Sequence, residues 1–282
     1  MLIRDRNHLW PWSGPAPDEA HILERDGHCL LRSVFEPHEV AALRTEVLSV
    51  YEQLPPDPRT SSPTVEMAQQ FRYQMFNRSP LCQRAMAHPR ILGVLEPVLG
   101  GDCHVISSTA WRNPPGRHAD ESLCYWHIDA GPHVPRAPGI PWPDAIPYPI
   151  FVVSTHIYLQ DCSLDEGPTA VVPGSHRSGQ IAPEEQRFDE SIVYEGREPV
   201  VHVAAAGDVG FFVSDVWHRR RLPTSNSRGR LFLQTGYARR DIAQRVLPAS
   251  EANHASREAI ARAATPRERA LIGLHPQCFY DS

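Results

Sequence analysis

The segment Ile150-Phe151-Val152-Val153-Ser154-Thr155-His156-Ile157-Tyr158-Leu159 constrains the fold more than any other part of the chain. It is rich in β-branched and aromatic residues, and strand side chains alternate between faces. Phe151, Val153, Thr155, Ile157 and Leu159 form a face that belongs in apolar packing. Val152, Ser154, His156 and Tyr158 form the other, which suits the wall of a polar cavity. Further strands are expected at 103–111, 170–172, 200–203, 209–214 and 230–237, separated by Gly, Pro and Asp turns. Many short strands divided in this way predict a mainly β chain, a sandwich or jelly roll.

Helical patterns flank this core. A short helix running into a strand is expected over 21–31, broken at Asp26-Gly27. Pro37 opens a helix whose apolar stripe is Val40, Leu43, Val47, Val50/Tyr51 and Leu54. Ser79-Pro80 reads as an N-cap and first-turn proline for a helix to Ala87, and another helix runs from Pro89 to Leu99, stopped by Gly100-Gly101. Residues 59–79 read as a surface loop, with Arg72, Tyr73 and Asn77 the residues in it able to line a pocket. Near the end, 255–264 is a modest helix and Thr265-Pro266 starts a last one to Ile272. With no repeat and no long linker, 1–282 reads as a single domain: a helical part over about 20–100, a β core over about 100–240 and a helical tail over 241–282.

Composition removes several function classes. All 28 basic residues are arginine, so Schiff-base chemistry and a phosphate-loop lysine are excluded. The net charge of −5 carries no basic or acidic block, which gives no reason to expect nucleic acid or a membrane surface as a partner. No stretch approaches the roughly 18 apolar residues of a membrane span, and the first twelve residues lack a signal-like apolar run, so a cytoplasmic protein is expected. The cysteines (29, 82, 103, 124, 162, 278) are scattered, which predicts buried or free thiols instead of a disulfide frame.

The chemistry-bearing stretch is Tyr125-Trp126-His127-Ile128-Asp129. An imidazole and a carboxylate two positions apart on an extended segment share a side. Trp217-His218 supplies a second imidazole from a distant strand. Together they make a two-His, one-carboxylate face, which leaves half an octahedron open and suits non-haem Fe(II). Directly after Asp129, prolines at 132, 135, 138, 141, 143, 147 and 149 keep 130–149 out of any central sheet. That stiff segment, with Trp142 and Tyr148, reads as a lid walling a substrate pocket.

Asp161-Cys162-Ser163-Leu164-Asp165-Glu166-Gly167-Pro168 continues through Thr169-Ala170-Val171-Val172-Pro173-Gly174-Ser175-His176-Arg177. With Trp126-His127-Ile128-Asp129, Gly207-Asp208-Val209 and Trp217-His218, this run resembles the phytanoyl-CoA dioxygenase family of Fe(II)- and 2-oxoglutarate-dependent oxygenases. The resemblance extends back to Leu23–Arg32 and so covers most of 21–240. It implies a double-stranded β-helix (jelly-roll, cupin-like) core with flanking N- and C-terminal helices. It implies His127, Asp129 and His218 as iron ligands, with 2-oxoglutarate and O2 as cosubstrates and a small molecule as substrate. The arginine for the far carboxylate of 2-oxoglutarate falls on Arg230, with Arg228 the competitor. A guanidinium fork suits that planar anion. His156 and Ser154 are expected as further pocket residues beside the cosubstrate.

Two departures from the family pattern stand out. Arg219-Arg220-Arg221 follow the distal histidine where relatives commonly have small residues, which leaves solvent, the pocket rim or an anionic substrate as their partner. Cys124 stands where some relatives place a polar cosubstrate contact. His176 is expected to be structural, and His104, His118, His133 and His202 to face solvent or packing. The carboxylate at 129 favours hydroxylation over halogenation, since halide-binding relatives have Ala or Gly there. Desaturation, epimerisation and ring closure remain open as outcomes. So do a 2-oxoglutarate-independent metalloenzyme of the cupin type and a catalytically silent binding paralogue.

Overall fold

The computed structural model describes residues 14–55, 70–117, 124–129, 131–143, 145–243 and 255–275. Helix α1 (Asp18–Asp26) ends at Gly27, whose φ of 77° turns the chain directly into strand β1 (His28–Leu31). Helix α2 (Pro37–Gln53) begins with a proline and a reciprocal Glu36/Glu39 capping box. Strand β2 (Phe71–Tyr73), helix α3 (Met75–Arg78), helix α4 (Pro80–Met86) and helix α5 (Pro89–Leu99) follow, with the Ser79 hydroxyl capping α4. Strands β3 (His104–Asn113), β4 (Val152–Tyr158), β5 (Thr169–Val171), β6 (Val200–Val201), β7 (Val209–Val213), β8 (His218–Arg220) and β9 (Arg230–Ala238) come next. Two short helices, α6 (Arg257–Arg262) and α7 (Pro266–Leu271), close the described chain.

The strands form two antiparallel sheets, ordered β1-β7-β4-β9-β3-β2 and β6-β5-β8. This is the expected mainly β jelly-roll core. Val153, Ile157, Phe211, Leu231, Leu233 and Tyr237 point from the large sheet into a core shared with the helices, through Leu23, Val47, Met86 and Leu95 among others. The opposite face meets the small sheet. Val171 packs on Phe212, while Tyr158 and Phe232 cluster with Cys162 and Ala204. The alternation along β4 therefore separates packing from interior as its side-chain pattern predicts.

Three features depart from the expected layout. Residues 71–78 are not surface loop: Phe71–Tyr73 pairs with β3 as an edge strand, and the α3 turn follows. Arg72 and Asn77 hold backbone rather than line a pocket. Arg72 donates to the carbonyls of Leu54 and Phe71 and lies over the Tyr51 ring, and Asn77 accepts from the N–H of Ser256. The rest of that loop expectation, 56–69, lies outside the described residues. The largely helical N-terminal part also contributes two strands, β1 and β2, to the large sheet. Finally, β8 is a strand of three residues that its Arg-rich sequence does not advertise. Three residues are too few for a period to be read.

Gly207-Asp208 clamps the N-terminal part to the barrel. The Gly207 carbonyl accepts from the N–H groups of Val34 and Phe35, and its own N–H donates to Tyr158. The buried Asp208 carboxylate accepts from Arg32 at 2.7 Å and from the N–H groups of Ser33 at 2.8 Å and Ala205 at 2.9 Å. Gly207 has a φ of +95°, and a Cβ there would stand 2.5 Å from the Phe35 carbonyl oxygen. Gly207→Ala is expected to destabilise the protein by about 2–3 kcal/mol through backbone strain and this clash. An unchanged urea midpoint in equilibrium unfolding refutes it.

Candidate metal centre

His127 and His218 face each other as an isolated antiparallel bridge. Each donates its N–H to the other's carbonyl at 2.9 Å. Side chains of such a directly opposed pair emerge on the same face, and the two imidazole centroids stand 4.4 Å apart. The segment 124–129 is not the regular strand its spacing suggests. It is irregular backbone pinned at three points: Trp126 to the Arg187 carbonyl, His127 to His218, and Asp129 to the Ser214 carbonyl. Trp126 anchors it further by donating its indole N–H to Asp189 and packing in a cluster with Trp217.

The histidine tautomers follow from the hydrogen bonds. Nδ1 of His127 lies 2.8 Å from the Tyr125 carbonyl, and Nδ1 of His218 lies 2.9 Å from the Val216 carbonyl. A carbonyl accepts only, so each Nδ1 carries a proton, and in the neutral ring, the form that binds a metal, Nε2 presents a lone pair. Ligand atoms of His127, Asp129 and His218 all lie within 4.8 Å of one another, with His218 Nε2 at 3.4 Å from Asp129 Oδ1. The Ser154 hydroxyl donates to the second carboxylate oxygen, Asp129 Oδ2, at 2.9 Å. Ser154 thus serves the metal carboxylate. The donor set fits a divalent ion with open coordination positions.

Electrostatics match that reading. Burial, then the neighbouring His218, push His127 down to about 4. Enclosure opposes the charge of Asp129, but His218, His127 and the Ser154 hydroxyl outweigh it and hold the carboxyl well below its ordinary range. Burial works against a charged His218, yet Asp129 wins and raises it.

The turn residues of the Pro-Gly-Ser-His run support this centre from behind. The Ser175 hydroxyl accepts from the N–H of Trp217, next to His218, and donates to Val172. His176 is buried, bonded through Nε2 to the Glu24 carbonyl and edge-on to Tyr148, so its role is structural as expected. The Pro-rich segment is moored just below the metal ligands. His133 donates its backbone N–H to Asp215 at 2.8 Å and bonds to it through Nδ1, and the Tyr148 hydroxyl donates to the same carboxylate at 3.2 Å. Burial disfavours charge on Asp215, but these bonds from His133 and one from Ser214 hold its carboxyl below the ordinary range. His133 is therefore a mooring residue. His104 packs between His275 and the Ile242 carbonyl, His202 is buried against His28, and His118 lies outside the described residues.

Arg230 and Arg228 are separated by the fold. Arg228 is exposed and reaches Glu166 at 3.4 Å, whereas Arg230 is buried in the barrel. Its Nε donates to Asn113 and Nη1 to the Gly167 carbonyl, both at 2.8 Å, and its guanidinium lies 5.2 Å from the Phe232 ring centroid. His156 stands between Phe212 and Phe232, pushed down to about 3 by burial and then by the charge of Arg230. Trp142 and Tyr148, the aromatics that sequence placed at a substrate pocket, are held by Ile146 and Asp215 respectively. Residues to which the sequence assigned no role gather beside His127 instead: Tyr125 lies 5.3 Å from the His127 ring, under the Arg187 guanidinium and beside the half-exposed Phe188. No periodic signal marks them, because they sit in irregular backbone.

Several known proteins resemble this chain in sequence or fold. The ectoine dioxygenase of Bordetella bronchiseptica is 32% identical over 172 residues, 57% of this chain and 49% of that protein. The ectoine dioxygenase of Nocardia farcinica is 25% identical over 175 residues, 59% of this chain and 53% of that protein. The chain thus spans about half the length of the curated relatives it matches. Among solved structures, EctD from S. alaskensis, with 2-oxoglutarate and 5-hydroxyectoine, superposes with a TM-score of 0.63 at 20% identity over 84% of this chain and 82% of that one. HygX from Streptomyces hygroscopicus, with nickel and 2-oxoglutarate, gives 0.59 at 19% over 82% and 90%. The carbocyclase SnoK of nogalamycin biosynthesis gives 0.59 at 20% over 83% and 89%. The phytanoyl-CoA dioxygenase (PhyH) family matches residues 23–228, most of the chain and all three candidate metal ligands, and the protein belongs to that family.

Proposed function

We propose that the protein is a mononuclear Fe(II)- and 2-oxoglutarate-dependent oxygenase that hydroxylates a small molecule. The observation that carries this reading is the donor set: two imidazoles with Nε2 lone pairs presented together, and a carboxylate 3.4 Å from one of them. When bound, iron and 2-oxoglutarate supply the activation of dioxygen and the oxidising equivalents, with succinate and CO2 as co-products. The chain's own work is positioning. The carbonyls of Tyr125 and Val216 fix the histidine tautomers, and Ser154 orients Asp129. Arg230, the only one of the two competing arginines inside the barrel, grips the far carboxylate of 2-oxoglutarate. The moored Pro-rich segment keeps water from the metal's side of the barrel.

The substrate is a separate matter. Its relatives include ectoine dioxygenases, and a structural neighbour is a carbocyclase. One fold hosts several outcomes of the same chemistry, so the substrate class is read from the site: Tyr125, Phe188 and Arg187 suit a ring-bearing or partly anionic small molecule.

Mixing the protein with Fe(II) and 2-oxoglutarate without oxygen is expected to produce the visible charge-transfer band of the chelate. An iron-loaded protein that shows no band sinks the cosubstrate reading and leaves the cupin-type alternative. His127→Ala is expected to abolish stoichiometric iron binding. Arg230→Ala should retain iron but weaken 2-oxoglutarate at least about 10-fold, the worth of a lost charge-assisted bond, while Arg228→Ala leaves it within about twofold. The reverse result moves the clamp to Arg228.

Metal loading is also expected to release protons wherever metal-free His218 is protonated. Its pKa is raised, so it competes with the metal for its proton up to a higher pH than an ordinary imidazole does, while His127, at about 4, is already neutral near pH 7. Binding displaces the His218 proton, so the number released falls and affinity rises as pH climbs, until His218 deprotonates by itself. Calorimetric titration with Ni(II) in buffers of different ionisation enthalpy reads this number. A value that does not fall as pH rises contradicts the assignment.

A further inference from the structure

The three arginines after the distal histidine are sorted by the strand they occupy. In β8, His218 and Arg220 share one face and Arg219 takes the other. Arg219 accordingly lies 5.6 Å from the Trp126 ring, donates to the Phe188 carbonyl and approaches Glu190. Arg221 pairs with the same Glu190 at 3.2 Å. Arg220 points inward with His218. Its Nε is buried with no hydrogen-bond partner, and no carboxylate among the described residues pairs with it.

Arg220 and Arg230 border the same ground. Arg230 donates to the Gly167 carbonyl, and Arg220 lies opposite Thr169, two residues further along, in the β5–β8 ladder. Arg230, Cys124 and Cys162 act electrostatically on Arg220, and Cys162, Tyr158 and Cys124 on Arg230. The surroundings are rich in donors and poor in acceptors. Tyr158 is 2% exposed and its hydroxyl has no partner, and the indole N–H of Trp111 is likewise buried and unpartnered. Both rings flank Phe232, over which Arg230 lies: Trp111 at 5.6 Å and Tyr158 at 6.2 Å. The acids nearby are engaged elsewhere, Asp129 with Ser154 and His218, Glu166 with Ser163 and Arg228. Arg230 itself meets only the neutral oxygens of Asn113 and Gly167.

Arg230 is buried and Arg220 is largely enclosed, with its Nε fully buried; two such cations with no anion between them are costly to hold. The group that completes such a site accepts hydrogen bonds only and carries negative charge. A single carboxylate does both, because its two oxygens offer about four lone-pair positions, enough for two guanidinium forks. We propose that Arg220 joins Arg230 in a two-guanidinium site for one carboxylate, the far carboxylate of 2-oxoglutarate, with the Tyr158 hydroxyl as a third donor. The inference rests on the cosubstrate reading above. Its consequence is selectivity: a 2-oxo acid without that carboxylate leaves two cations unmatched instead of one.

The test compares 2-oxoglutarate with 2-oxopentanoate, the same chain lacking the far carboxylate, by calorimetry on anaerobic Fe(II)-loaded protein. Wild type is expected to prefer 2-oxoglutarate strongly. Arg220→Gln should narrow that preference by roughly 10- to 100-fold, the range for a hydrogen-bonded charge, with iron and 2-oxopentanoate affinities retained. Arg220→Lys, which keeps charge without the fork, should fall between. Arg230→Gln gives an independent arm that leaves position 220 intact. It should still prefer 2-oxoglutarate by about 10-fold, because Arg220 remains. An Arg220→Gln protein with the full wild-type preference overturns the proposal, and so does an Arg230→Gln protein that binds the two acids equally. Wild type that loads iron but binds no 2-oxoglutarate marks a different failure, that of the cosubstrate reading itself.

Discussion

The two backbone hydrogen bonds exchanged between His127 and His218 are the constraint on which the site depends. They bring an irregular segment before the Pro-rich stretch against a three-residue strand far along the chain. The pairing sets which face both imidazoles leave from, so their convergence is a property of the backbone before any metal arrives. Around it, each element has a checkable task. Tyr125 and Val216 fix the tautomers, Ser154 turns Asp129, and Ser175 braces Trp217 from behind. A centre built in this way is pre-organised, which is how a protein places ligands without reorganising at the moment of use.

Charge inside the barrel is distributed with equal economy. Asp129, on the irregular segment against β8, stands at the candidate metal end, and Arg230 on β9 and Arg220 on β8 lie beyond it. Burial lowers the pKa of both arginines, Arg220 to about 9. Neighbouring imidazoles respond in the same sense: His156, near Arg230, is pushed to about 3, and His202 well below its ordinary value. Away from Asp129, which raises His218, the interior therefore holds His156 and His202 neutral and leaves its arginines short of anions, an arrangement that suits an anionic ligand far better than a cationic one.

The turn motifs have structural work that their conspicuous sequences conceal. Gly174-Ser175-His176 looks like a catalytic run, yet its serine braces the strand carrying His218 and its histidine bonds to Glu24. Gly207-Asp208 ties the chain after β1 to the barrel. Asp215, unremarked in the sequence, gathers His133, Tyr148 and Ser214 and so moors the Pro-rich segment next to the metal ligands. No helix among the described residues is long and apolar enough to cross a membrane. Five of the six cysteines are buried thiols, as their scattered spacing predicts.

The sequence alone determined what is carried by local pattern. The two-faced strand β4, the first-turn Pro37 and the helix caps at Ser79 and Thr265 are local signals, and they formed where the pattern put them. Residue type and motif order also offered His127, Asp129 and His218 as candidate ligands, and the fold brings their ligand atoms within 4.8 Å of one another. Tertiary structure decided the rest. It separated the buried Arg230 from the exposed Arg228, set Arg220 on the His218 face of β8 and Arg219 on the opposite face against Trp126, and made a strand of Phe71–Tyr73. Each of these depends on which backbone lies opposite in a sheet. A three-residue strand has no period of its own, and adjacent arginines are chemically identical until pairing across the sheet gives each one a side.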